Sequence, residues 1–265
     1  MRELLDAVAD GTLSPAAAEA ELRGYATDEA GRFDAAREER AGVPEAILAE
    51  GKTPDEAATL TATAVETTNR ALVTRADDAT ARAIRAAVTD EFPGATVDRD
   101  ARARTVVVHG EGYEPPALDA RVAVVAAGTA DAEPAGEAAV TMRELGATVT
   151  RIDDVGVAGL PRLLDALGTV REHDVVVVAA GREGALPTVL AGQVDVPVVG
   201  LPVSTGYGHG GRGEAALAGL LQSCAPLAVV NIDAGFAAAV HAGRIARLVD
   251  SIRRAGRSAR DSNRG

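Results

Sequence analysis

The stretch 175–236 alternates short, wholly apolar runs with turns rich in Gly, Ser, Thr, Asn or Asp, and no other stretch narrows the choice of fold so far. The runs, 175–178, 197–201 and 227–232, have the length and β-branched content of strands buried on both faces. Ala/Leu-rich segments of helical length follow the first two turns. This is a βαβ pattern, and two earlier runs, 122–126 and 147–152, carry it upstream. Helices are expected over 133–145, 160–168, 184–192, 213–222 and 235–254. Five strands alternating with helices predict an α/β fold built on a doubly wound parallel sheet of the flavodoxin-like kind. In such sheets ligands bind beyond the carboxyl ends of the strands. Those ends carry Glu183, Ser204-Thr205-Gly206 and Asn231-Ile232-Asp233, and the chain's one cysteine, Cys224, sits just before the last strand.

Upstream the pattern changes, and residues 1–91 read as mainly helical. Ser14 and Pro15 have the chemistry of a helix start. Thr53 and Glu56 can close a capping box ahead of an Ala/Thr-rich helix over 54–72. The charged segment 31–52 between them reads, on its own, as a solvated helix face. Pro93-Gly94 and two β-branched runs in 92–108 mark a short hairpin. Two glycines and two prolines in 109–119 mark a domain boundary. The expected organisation is a helical N-terminal domain with a short hairpin over 1–117 and an α/β domain over 118–255. A frayed basic tail over 256–265 completes it, disordered or touching a partner.

Composition narrows the partners. Aromatics make up 2% of the residues and Trp is absent, so the core must be Ala, Val and Leu. Few stacking platforms remain for single-stranded nucleic acid. A formal net charge of −12 argues further against nucleic acid or an anionic membrane. No apolar run reaches the length of a membrane span, and the N-terminus lacks a signal-peptide core. One cysteine cannot make an internal disulfide, which fits a soluble protein of a reducing cytoplasm. Lys52 is the sole lysine among the 27 Lys and Arg residues. Such an acidic, lysine-poor surface suits high salt, and a GC-rich genome gives the same bias.

The first turn of the α/β region, at 128–131, lacks the glycine spacing of the dinucleotide fingerprint. It still sets Gly128, Thr129 and Asp131 between a strand and a helix N-terminus, where backbone N–H groups can hold a phosphate.

Several longer strings, taken together, resemble the LarB family, the carboxylase/hydrolase that begins synthesis of the nickel-pincer nucleotide, the lactate racemase cofactor. They are GTAD (128–131), DVGVAGL (154–160), AGREGALP (180–187), PVSTGYG (202–208) and SCAPLAVVNIDAGF (223–236). In the N-terminal half, RFDAAREERAGVPEAILAEGKT (32–53) is similar to the family's Asp-x-x-Arg-x-x-Arg-x-Gly-x-Pro-Glu segment followed by Gly-Lys-Thr. The chain departs from the family strings at Pro161-Arg162, where His-Arg is usual, at Arg182, where Met is common, and at Ala234, where Asn is usual.

The resemblance implies a C-terminal domain like that of PurE-type aminoimidazole ribonucleotide carboxylases, and a homo-oligomer, with an octamer favoured. It implies nicotinic acid adenine dinucleotide and carbon dioxide as substrates, pyridinium-3,5-biscarboxylic acid mononucleotide and AMP as products, and Mg2+ as the required ion. No organic cofactor is expected beyond the dinucleotide. A pyridinium ring is too electron-poor to attack carbon dioxide. A thiolate adding opposite the ring nitrogen makes a neighbouring carbon nucleophilic, a form of covalent catalysis. Cys224 is the available thiol, the alternative being a small buried hydrophobe. It follows a helix, whose C-terminal end disfavours an anion, so its thiolate is expected to form against the substrate's own pyridinium.

Glu183 follows a buried strand, where desolvation would tune it as the base that takes the ring proton; interaction with a helix dipole is the alternative. Asp131 positions substrate or metal, or caps its helix. Ser204, Thr205, Gly206 and Gly208 form a second polar loop against the nucleotide. Gly181 and Gly184 flank Glu183, Asn231 and Asp233 close the last strand, and Asp154, Gly156, Gly159 and Arg162 complete the rim. His209 is a secondary candidate for deprotonating Cys224. Arg37 and Arg40, three residues apart on a helix, suit a carboxylate or diphosphate. Asp34 would orient either, and Lys52 would meet a phosphate. Two rivals remain on the sequence: a purine-pathway aminoimidazole ribonucleotide carboxylase or mutase, and a non-catalytic nucleotide-binding module.

Overall fold

In the computed structural model, which describes residues 1–262, apolar side chains gather into two separate units, Met1–Glu114 and the chain from Pro115 onward. The first contains α1 (Arg2–Ala9), α2 (Pro15–Arg23), β1 (Ala26–Thr27), β2 (Arg32–Phe33), α3 (Arg37–Ala41) and β3 (Ala46–Leu48). It continues through α4 (Pro54–Thr68), β4 (Arg70–Thr74), α5 (Asp78–Glu91), β5 (Thr96–Asp100) and β6 (Thr105–His109). The Ser14 side chain caps α2, and Thr53 with Glu56 closes the capping box of α4, both where the sequence requires them.

Helix α4 does not reach residue 72. Asn69 adopts the left-handed conformation (φ 56°), its N–H returns to the Val65 carbonyl, and RALVT becomes a strand buried along its whole length. A helix read through this point overlooks that Asn tolerates the left-handed cap. β4 then anchors a four-stranded sheet of order β3-β4-β6-β5, parallel at β3/β4 and antiparallel elsewhere. The hairpin expected over 92–108 is its β5/β6 edge, so this half holds more sheet than its sequence suggests.

The second unit alternates strictly: β7 (Arg121–Ala126), α6 (Ala132–Glu144), β8 (Thr148–Ile152), α7 (Leu160–Val170) and β9 (Val175–Ala180), then α8 (Ala185–Ala191), β10 (Val198–Pro202), α9 (Glu214–Leu221), β11 (Ala228–Val229) and α10 (Gly235–Ser262). The sheet is wholly parallel, in the order β11-β10-β9-β7-β8. Its two-sided burial is visible within one strand. Val175 and Val177 enter a core with Met142 of α6 and Ala242 of α10, while Val176 and Val178 enter the opposite core with Leu163 of α7 and Leu190 of α8. Among the described residues no helix is long and apolar enough to cross a membrane.

The basic segment after residue 254 is not a frayed tail over its described part. α10 runs on to Ser262, and residues 263–265 lie outside the described chain. Arginines that a composition reading leaves solvated are anchored at the entrance to β7. Arg253 donates to both oxygens of Asp174 (2.6 and 2.9 Å) and to the Asp119 carbonyl (2.6 Å). Arg254 bonds Asp250 (2.9 Å) and the Ala117 carbonyl (2.9 Å), and Arg257 pairs with Asp119. Burial alone would raise the pKa of Asp174, but the Arg253 guanidinium and the Arg121 N–H outweigh it and hold the carboxyl below its ordinary value.

A carboxylate depressed in this way contributes stability above its unfolded pKa and loses it as pH falls through the folded value. Arg253→Met is therefore expected to cost about 1–2 kcal/mol at neutral pH, since the arginine is partly exposed and its bonds are partly screened. Urea unfolding should show a lower midpoint with unchanged slope. The gap from wild type should close as pH is lowered through the aspartate range.

Candidate active site

Parallel strands end together at one edge of the sheet, so the turns leaving β7, β8, β9 and β10 are brought side by side. β8 lies on one side of β7 and β9 on the other, so the order in which strands are added reverses at β7. A crevice opens at such a point. Here it is a pocket of about 600 Å³. Its wall comprises Gly128, Ala130 and Asp131 after β7, Gly156, Val157 and Ala158 after β8, Gly181, Arg182 and Glu183 after β9, and Thr205 and Tyr207 after β10.

Asp131 fastens three of these turns together. It is 5% exposed. Its Oδ1 accepts from the Thr205 hydroxyl at 3.0 Å and its Oδ2 from the Gly128 N–H at 2.9 Å. The Gly181 N–H also donates to it. Burial pushes its pKa above the ordinary aspartate value; the Thr205, Gly128 and Gly181 hydrogen bonds oppose that rise, and the charge of Asp233 adds to it. Asp131 thus ties its own turn in the manner of a cap while walling the pocket. The turns approach so closely that Gly181 has no room for a side chain: an added Cβ would lie 2.5 Å from the Thr205 carbonyl oxygen.

The other residues singled out in the sequence divide clearly. Gly128, Asp131, Gly156, Gly181, Glu183 and Thr205 line the pocket, while Gly184 caps α8 in the left-handed conformation and packs on Ala216. Glu183 is exposed, not desolvated as the sequence reading had it, because it sits in the turn beyond the strand's buried run. Asp154 and Arg162 are exposed and paired with each other at 2.6 Å, with Gly159 against Arg162; none of the three lines the pocket. Asp233 accepts from the Ser204 N–H at 2.9 Å and so braces the β10 turn, and Asn231 accepts from its neighbour Ile232. Ser204, Gly206, Gly208, Thr129, Asn231 and His209 stand outside the lining.

Cys224 is exposed, which removes the small buried hydrophobe. It is also outside the pocket wall. It lies in the connection from α9 to the amino end of β11, whereas the pocket opens at carboxyl ends. The thiol therefore does not stand beside Glu183 in the pocket wall. In the first unit, Arg40 pairs with Asp34 at 2.7 Å, Arg37 with Glu45 at 2.5 Å, and Lys52 donates to the Leu48 carbonyl at 2.9 Å. Both arginines proposed for anion binding are thus engaged by carboxylates. Sequence reasoning assigned no role to Arg182 or Tyr207. Their signal was an aromatic residue in a polar loop of an aromatic-poor chain, beside a basic residue in a turn.

Among the described residues no group of three or more His, Cys, Asp or Glu could hold a metal ion. Both Asp131 oxygens already accept hydrogen bonds. Mg2+ tolerates such a setting, because it keeps several waters and binds through one or two carboxylates plus substrate phosphates. Glu183 is the pocket carboxylate suited to meet a hydrated ion.

A wholly parallel sheet with a crevice at its switch point defines a doubly wound α/β domain, and residues 121–263 match the family model described as AIR carboxylase. Residues 25–110 match the LarB/PurE-like N-terminal domain. The chain belongs to the LarB family, with a PurE-like AIR carboxylase domain. An uncharacterised protein of Methanocaldococcus jannaschii is 36% identical over 260 residues, covering 94% of this chain and 98% of that protein. A crystal structure of a Treponema denticola PurE2 variant is 23% identical and covers 57% of this chain and 92% of its own, with a TM-score of 0.41.

Ionising Asp131 costs folded-state stability above its unfolded pKa, and the cost grows as pH rises through the folded value. Carboxyl-carbon NMR should find Asp131 titrating above the ordinary aspartate range. Thr205→Val, which removes a bond to the ionised form, should move that midpoint further up, and Asp233→Asn should bring it down.

Proposed function

We propose that this protein carboxylates the pyridinium ring of nicotinic acid adenine dinucleotide and hydrolyses its phosphoanhydride with one water, releasing pyridinium-3,5-biscarboxylic acid mononucleotide and AMP. The observation that carries this reading is the pocket at the β7/β9 switch point, which has Asp131 and Glu183 on neighbouring turns of a carboxylase-type domain. Its volume of about 600 Å³ lies in the range of small-molecule sites. Membership of the LarB family supports the choice of substrate.

In this reading the Cys224 thiolate adds to the ring carbon opposite the nitrogen, and the ring's π electrons shift to leave an enamine. The neighbouring ring carbon, on the side away from the existing carboxylate, uses the enamine pair to form a C–C bond to carbon dioxide. Glu183 then removes the proton from that carbon. The released pair restores the aromatic ring as the C–S bond breaks and the thiolate leaves with its electrons. Asp131 keeps the three turns in register around the ring. Mg2+, when bound, neutralises phosphate charge.

Cys224 is exposed and is not part of the pocket wall of its own chain. We therefore assign the attacking thiol to a second copy in a homo-oligomer, for which an octamer is the assembly favoured by the family resemblance. An exposed cysteine that serves a neighbouring subunit has the accessibility a nucleophile needs.

Incubation with nicotinic acid adenine dinucleotide, Mg2+ and carbon dioxide should release AMP and a nucleotide heavier than nicotinate mononucleotide by one carboxyl group, read by mass spectrometry. AMP alone, or no turnover, would sink the carboxylation. Cys224→Ala and Glu183→Gln should each abolish carboxylation while still binding the dinucleotide. Co-assembling the two variants should restore turnover, because a site can then draw its thiol and its carboxylate from different copies. Restoration fails if both groups belong to one chain.

A further inference from the structure

We infer that Arg182 is the anion receptor of the pocket and gives this chain a preference for a ring bearing a carboxylate over one bearing a neutral amide, with Tyr207 as its resting place. The inference rests on the nucleotide reading above and goes on to name the group recognised. Among the described residues that line the pocket, Arg182 is the one cation, set against the carboxylates of Asp131 and Glu183. A ligand carboxylate entering between those two has no other positive side chain on the wall to meet.

The other arginine of the rim, Arg162, is committed to Asp154 at 2.6 Å. Among the described residues Arg182 has no ion-pair partner. Its guanidinium carbon stands 4.3 Å from the centroid of the Tyr207 ring. A guanidinium over an aromatic ring keeps its N–H donors available at its edge. The stack is a weak hold at an exposed site, and Tyr207 is 82% exposed. A carboxylate offering two parallel charge-assisted hydrogen bonds is the stronger partner. Arg182 can therefore leave the ring for a ligand without breaking an ion pair.

Position adds to this. Arg182 has a φ of 50°, a conformation that L-residues with long side chains adopt rarely and at some energetic cost. The turn that holds it is closed by a 2.9 Å hydrogen bond from the Gly184 N–H to the Gly181 carbonyl. Arg182 and Glu183 are consecutive in that turn, so the group that binds the carboxylate and the group proposed to take the ring proton reach the same ligand from one short segment. Methionine is common at this position in the strings the chain resembles, so the guanidinium itself is a feature of this chain.

Nicotinate and nicotinamide mononucleotides differ only in carboxylate against carboxamide, and both can be titrated into the full-length protein by calorimetry. Wild type is expected to prefer the acid by about tenfold or more, the scale of one charge-assisted hydrogen bond. Arg182→Met should lose that preference while retaining the affinity for the amide. Arg182→Lys should keep part of it, as a charge without the fork. Tyr207→Ala should leave the preference in place, because the ring only parks the guanidinium. Equal binding of acid and amide by wild type, or a parallel loss of both in Arg182→Met, overturns the assignment and leaves the proposed reaction standing. If wild type binds neither nucleotide, this inference fails, while the proposed reaction stands or falls on turnover of the dinucleotide.

Discussion

One buried carboxylate ties together the turns at the pocket edge of this protein. Four strands end at the pocket and their turns diverge into four different helices; backbone bonds such as Gly156 N–H to the Ala127 carbonyl and Val203 N–H to the Ala180 carbonyl hold only the first residues of those turns. Asp131 supplies the further constraint by accepting from Gly128, Gly181 and Thr205, one group from each of three turns. Burial makes its charge costly, and the three donors offset part of that cost. Asp233 repeats the device one strand further out, accepting the Ser204 N–H. The pocket is thus set by a chain of acidic residues that face inward to backbone, which gives the acidic composition a structural use at the site as well as on the surface.

The parallel sheet was legible because an apolar run buried on both faces has few other interpretations, and residues 175–180 are such a run. The N-terminal unit was harder. RALVT has strand composition, but it follows an Ala/Thr-rich helix with only Asn69 between them, and helical periodicity carries through the junction unless the left-handed cap is recognised. The strand expected over 227–232 shrinks to Ala228–Val229, because an edge strand needs pairing on one side only and Asn231 and Asp233 turn away to serve the loop.

The candidate site was legible in its glycines and acids, since each follows a recognisable strand. What one dimension could not supply was side. Cys224 is four residues ahead of β11, close in sequence to Asn231 and Asp233, yet it is not part of the pocket wall. Burial was similarly misjudged for Glu183: being next to a buried strand does not make a residue buried once the chain has entered a turn. Arg182 and Tyr207 acquire meaning only as a pair, and their 4.3 Å approach joins turns after two different strands.

The anchoring of α10 bears on how the molecule comes off the ribosome. Arg253 and Arg254 grip residues 119 and 117 across separations of 134 and 137 positions, and Ala238, Ala242 and Ala246 share with α6 the cover of one face of the sheet. During synthesis that face stays only partly covered until α10 has emerged from the exit tunnel, and closing so long a loop is slow. The nascent carboxylase domain is therefore in greatest need of chaperone protection in the interval between completion of β11 and docking of α10.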